Sequence, residues 1–84
     1  MKIRKTHMNA IEIFFRNQLM RKKISMETMA EKLFVEETTL YNALKKPWYN
    51  WRIGQLAEYC DAIGAPYAGA LKAALECMKE EPRP

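Results

Sequence analysis

Apolar residues recur along this chain at spacings of three and four, with polar residues filling the positions between. No stretch keeps the strict alternation of a half-buried strand, so the chain reads as helical throughout. The pattern predicts a first helix from His7 to about Lys22, with Ile11, Phe14, Phe15 and Leu19 on its inner side and Asn9 or Thr6 as its N-cap. Ser25 is placed to cap a second helix, Met26 to Leu33, whose inner side carries Met29, Ala30 and Leu33. Thr28 stands where a Glu would complete a capping box, so only half of that device is present. A third helix is expected from about Glu36 to Lys45. Val35, Leu40, Ala43 and Leu44 fall on one side, and Glu36 and Glu37 suit the positive end of the helix dipole.

Pro47 stops that helix, Lys46 to Asn50 forms a loop, and Asn50 is positioned to cap a fourth helix. Ile53, Leu56, Ala57, Cys60 and Ile63 make its inner stripe. Gly64 supplies the left-handed residue at its end, and Pro66 follows as a stop. The fifth helix runs from Tyr67 to about Lys79, with Leu71, Ala74, Leu75 and Met78 along one side. Residues 1–7 read as a basic arm and residues 80–84 as a loose tail. The second and third helices have only a few residues between them and must cross steeply, with the small Ala30 at their closest approach. That is helix-turn-helix geometry. The outward face of the third helix carries Glu37, Thr38, Tyr41, Asn42 and Lys45. Its side chains both donate and accept hydrogen bonds beside one cation, which suits base edges in a major groove. A plain solvated helix face is the competing reading.

Composition narrows the picture. The chain has 84 residues and is 49% hydrophobic and 29% charged, as expected for one globular all-α domain of five helices. No apolar run approaches the roughly 18 residues of a membrane span, and the residues after the basic start are not a signal-peptide core. The cytoplasm is the expected compartment, and no sensor domain is expected within these 84 residues. Cys60 and Cys77 lie 17 residues apart without a CxxC, and His7 is the one histidine, so no metal site is expected. Both cysteines read as small buried hydrophobes. One Ser, one His and three Gly give neither a nucleophile–base pair nor a phosphate loop, which argues against an enzyme and for no cofactor. The net charge of +4 is unevenly spread, at +6 over residues 1–23, −3 over 24–44 and +1 over 45–84. The first segment would attract phosphates; the second would repel them.

Residues 24–46 resemble the helix-turn-helix of phage repressor and Cro-like regulators, the lambda-repressor-like fold. The likeness rests on Ser25, Glu27, Ala30, Glu31, Lys32, Leu33, Val35 and Thr39, with Leu40 at an apolar position. It continues through Ile53 to Gly64, which is similar to the family's following helix of the form LxxLAxxLG. Three departures stand out. Phe34 occupies the turn where the family has Gly, and a left-handed backbone there costs a bulky residue about 1 kcal/mol or more. Either an altered turn or a packed Phe34 is therefore expected. Met26 replaces a Gln that contacts phosphate. Leu19 and Leu44 stand where relatives bury an Arg–Glu pair, so contact between these two side chains is expected.

The resemblance implies a sequence-specific transcriptional regulator of double-stranded DNA, acting as a homodimer. By position it assigns base reading to Glu37, Thr38 and Asn42 with Tyr41 alongside. Thr39, Lys45 and Lys46 would hold phosphates, supported by Lys22 and Lys23 and by longer-range attraction from Arg16 and Arg21. Trp48, Tyr49 and Trp51 read as core or interface aromatics. Leu71, Leu75 and Met78 are the dimer candidates. The rival expectation is a protein-interaction module on the same fold, such as an antitoxin or an adaptor, warranted by the acidic middle segment and the loss of Gln at position 26.

Overall fold

The computed structural model describes residues 8–80, so the basic arm, with His7 and Thr6, and the tail from residue 81 lie outside the described residues. Among the described residues the chain is all-helical, as expected, with five helices in the order α1 (Ala10–Lys22), α2 (Met26–Leu33), α3 (Glu37–Leu44), α4 (Ile53–Ile63) and α5 (Tyr67–Glu80). A single 3-10 turn, Trp48–Asn50, occupies the loop after α3.

The helix starts follow from local chemistry. Asn9 caps α1, its side-chain oxygen accepting from the Glu12 N–H at 2.9 Å. Ser25 caps α2 in the same way through the Thr28 N–H at 3.0 Å, and its hydroxyl donates to that of Thr28. α3 begins at Glu37, after an extended Glu36 that makes no side-chain cap. α4 is preceded by an extended Arg52, so Asn50, the expected cap, belongs instead to the 3-10 turn. Gly64 closes α4 in the left-handed conformation, as its position predicted.

The core is one apolar cluster drawn from all five helices. Ile11, Phe15, Met29, Leu40, Leu44 and Cys60 are fully buried within it. Leu19 and Leu44 belong to this cluster, where α1 meets α3, so the two apolar residues that stand in for a buried ion pair share one dry environment. An aromatic group holds the centre. Phe15 stacks on Trp51 at 6.0 Å between ring centroids, and Tyr59 packs edge-on against both. Trp51 is thus a core residue, while Trp48 is half-buried at the edge of the same cluster. Tyr59 was not among the residues expected inside α4.

Two expected inner positions, Ile53 and Val35, are corrected, and α5 buries a different side from its leucine stripe. Ile53 is 74% exposed, because α4 turns its Leu56–Tyr59–Cys60–Ile63 face inward and leaves its first residue outside. Val35 lies at the exposed margin of the α2–α3 turn. α5 buries Ala70, Ala73 and Cys77, not the stripe of Leu71, Leu75 and Met78. Small residues face inward there because α5 lies close against α1. A Cβ added at Gly69 would come within 2.5 Å of the Phe14 ring.

The α2–α3 turn departs from both expectations for Phe34. The backbone adopts the left-handed conformation that glycine favours, with φ 60° and ψ 39°. The Phe34 N–H donates to the Glu31 carbonyl at 3.1 Å and the Val35 N–H to that of Ala30 at 3.0 Å, an ordinary helix C-cap. The turn is therefore unaltered, yet the Phe34 side chain is 94% exposed and gains no packing in return.

Candidate nucleic-acid interface

α3 is seated by Leu40 and Leu44, both fully buried, and packs against α2 and α1. Residues one helical step away must then face out. Glu37, Thr38, Thr39, Asn42 and Lys45 are all exposed. With the uncapped start at Glu36, this gives a short helix with an open N-terminal half and amide, hydroxyl and carboxylate groups along one side.

Tyr41 is half-buried and differs from its neighbours. The Arg16 guanidinium of α1 lies over its ring, 5.4 Å from the centroid. Arg16 is itself held by Glu12, Nε to Oε2 at 3.0 Å. The Glu12 residue is only 2% exposed, and it is the buried charged residue of the core. An i,i+4 Glu–Arg spacing was visible in the sequence, but its burial and its reach onto α3 were not. Arg16, expected to add long-range attraction, is accordingly held by a carboxylate of its own helix.

Lys46 is similarly committed. Its ammonium donates to Gln55 Oε1 at 2.8 Å and sits 4.5 Å from the Trp51 ring centroid. Its backbone carbonyl accepts from the Asn9 amide at 3.3 Å, which fastens the start of α1 to the end of α3. Burial, and then the nearby Arg52, hold the Lys46 ammonium below its usual pKa of 10.5. This expected phosphate ligand is thus hydrogen-bonded within the fold, to an amide oxygen that leaves its charge uncancelled. Lys46 also borders a polar hollow of about 550 Å3 beside the start of α4, shared with Asn50, Arg52, Gly54, Gln55 and Glu58. Lys22 and Lys23 are exposed. The Lys22 ammonium lies 4.0 Å from where a Cβ on Gly64 would stand, beside the carbonyl end of α4 that favours a cation.

The dimer candidates Leu71, Leu75 and Met78 are exposed on the outer side of α5, between 43% and 57%. Leu71 also borders an apolar hollow of about 170 Å3 between α4 and α5, with Ile53, Leu56, Ala57, Cys60 and Tyr67. The Tyr67 hydroxyl donates to the Asp61 carboxylate at its edge, and this bond raises the phenol pKa. Cys60 and Cys77 are both buried free thiols. Burial, then Asp61, pushes the Cys60 thiol above its ordinary value. Among the described residues no three His, Cys, Asp or Glu side chains gather as metal ligands would, and no helix is long and apolar enough to cross a membrane. Comparison with protein families, with curated proteins and with solved structures finds no match to this chain.

Proposed function

We propose that this chain is a sequence-specific DNA-binding regulator of the phage-repressor or Cro type, working in the cytoplasm as a homodimer. The observation that carries the reading is the exposed side of α3, where Glu37, Thr38 and Asn42 stand on a helix whose other face is locked into the core by Leu40 and Leu44. Asn42 pairs bidentately with adenine, Thr38 meets a thymine methyl or a base-edge acceptor, and Glu37 accepts from a cytosine amino group. Thr39 and Lys45 set the register on phosphates. The exposed Leu71, Leu75 and Met78 form the seam between two copies, and the two α3 helices read half-sites about one helical turn of DNA apart. Occupancy of an operator then excludes polymerase. The buried, unpaired cysteines suit a reducing compartment.

Selection of bound duplexes from a random pool, at about 0.1 M and about 0.2 M salt, tests this directly. A palindromic motif whose affinity falls steeply with salt is the expected result; recovery of nothing above background refutes it. Asn42→Ala then relaxes preference at one base position with a modest loss of affinity.

A second reading is favoured by Phe34. It stands almost fully exposed on a left-handed backbone, flanked by Glu31, Glu36 and Glu37. An exposed aromatic anchor within an acidic stretch of sequence suits a basic-rimmed protein pocket, as an antitoxin or adaptor on this fold would use. The absence of any selected motif is the outcome that favours it.

A further inference from the structure

The sequence assigned Tyr41 to the reading face and Arg16 to general attraction. The structure joins them, and adds a third residue. Glu12 is almost completely buried, and a lone buried carboxylate is costly unless it is paired. Its partner is Arg16, one turn further along α1, at 3.0 Å. Arg16 is only partly covered, with 30% of its side chain exposed, and its guanidinium lies over the Tyr41 ring. The chain of contacts therefore runs from the floor of α1 to the outward side of α3. The Glu12 N–H is in turn held by Asn9, whose amide also bonds the Lys46 carbonyl just past α3. The middle of α3, at Tyr41, and the segment just past its C-terminal end are thus both tied to α1.

We infer that Glu12 and Arg16 are positioning residues for Tyr41, and that together they fix the phenol as a specificity-determining contact beside Asn42 on the reading helix. The inference rests on the proposed DNA reading and deepens it. A phenol has two side-chain torsions and few rotamers. A guanidinium laid on its face and tethered from behind restricts the ring further, so the hydroxyl is presented in one direction at little ordering cost on binding. Tyr41 lies three residues after Thr38 and one before Asn42, so α3 brings its ring to the border of the same face. The tether also explains how an arginine can sit near the reading helix without acting as a phosphate clamp. Its charge is already matched by Glu12, so it contributes direction to a neighbour and not bulk attraction to DNA.

Duplex selection with the full chain, followed by titrations at several salt concentrations, separates these roles. Tyr41→Phe removes the hydroxyl alone. Arg16→Met removes the guanidinium, and Glu12→Gln/Arg16→Met removes the buried charge with its partner, so that a measurable folded variant is retained. In the expected result all three lose preference by about three- to tenfold at the same base position, the scale of one hydrogen bond. Preference at the base facing Asn42 is unchanged, and so is the dependence of affinity on salt. Arg16→Lys, which keeps the charge without the planar fork, loses preference as Arg16→Met does.

If Arg16→Met and Glu12→Gln/Arg16→Met weaken all sequences alike and lower the salt slope by about one, Arg16 is a phosphate ligand and the inference is overturned. Unchanged base preference in folded Tyr41→Phe and Glu12→Gln/Arg16→Met also overturns it, while the DNA reading stands. If the unaltered chain selects no motif, the DNA reading fails and this inference falls with it.

Discussion

Replacing Phe34 by glycine should stabilise this protein, although it deletes a large apolar side chain. Phe34 holds φ 60° and ψ 39°, a conformation that costs a residue with a Cβ roughly 1–2 kcal/mol. Glycine has no such cost. The offsetting term is the extra freedom of glycine in the unfolded chain, about 0.5–1 kcal/mol. Hydrophobic burial contributes almost nothing to the balance, because the residue is 94% exposed. The net gain is then about 0–1.5 kcal/mol, centred near 0.75, or a rise in Tm of roughly 3–6 °C at the centre of that range for a domain of this size. Thermal unfolding followed by circular dichroism, with urea titration alongside, measures it. Phe34→Ala is the control that isolates the backbone: it keeps the Cβ and hence the strain, and should leave Tm within about a degree or two of the starting chain. A fall of several degrees in Phe34→Gly would refute the reasoning, since it would mean that the ring packs against something or that the turn is not left-handed.

Gly69→Ala tests the opposite sign at a buried seam. The new methyl meets the Phe14 ring at 2.5 Å, and the resulting overpacking costs about 1–3 kcal/mol against a helix-propensity gain of at most about 1 kcal/mol. A lowered Tm is therefore expected, recovered in part by Gly69→Ala/Phe14→Leu; a raised Tm in the single variant would show that α1 and α5 are not so closely packed. Stability should decline above about pH 9. Burial, then Asp61, raises the Cys60 thiol above 9.0, and burial, then Glu58, raises the Tyr59 phenol above 10.0. In both groups the folded state favours the protonated form, so their contribution is intact below the unfolded value and is lost as pH climbs through the folded one. Lys46, lowered from 10.5, works against this in the upper part of the range. Urea midpoints from pH 7 to 11 measure the decline, and Cys60→Ala should shift its onset upward by about one pH unit; a flat profile to pH 10 in the unaltered chain would contradict it. Leu75→Lys should change the unfolding free energy by less than about 0.5 kcal/mol, since Leu75 stands on the outer side of α5. Sedimentation should find the variant monomeric where the parent is dimeric, and an unchanged assembly state would remove α5 from the seam.

Helix number, order and approximate ends were written in the chain. They depend on local terms that act within a turn or two: the Asn9 and Ser25 caps, the Gly64 stop and the three-and-four spacing of apolar residues. The exposure of Glu37, Thr38, Thr39, Asn42 and Lys45 was legible for the same reason, since Leu40 and Leu44 fix which way α3 faces. Which apolar residues went inside was less well determined. α5 offered both a leucine side and an alanine–cysteine side, and only the close approach of Gly69 to Phe14 selected the small one. Ile53 fits the stripe by spacing yet stands outside, because a helix's first residue can extend past the neighbour that would cover it.

The charged groups were the least legible. A sequence gives their sign but not their partners. Burying Glu12 obliged Arg16 to stay with it, and folding the loop after α3 over Trp51 drew Lys46 inward to Gln55. Arg16 meets Glu12 four residues away and Lys46 meets Gln55 nine residues away, yet the burial around each contact depends on how the helices pack. Phe34 shows the converse. The sequence foresaw the cost of its backbone, and the tertiary structure decided that no packing would offset it. Local periodicity and capping set the elements here, because those energies are short-ranged. The pairing of charges and the choice of buried face waited on tertiary contacts, because desolvation depends on which surfaces meet.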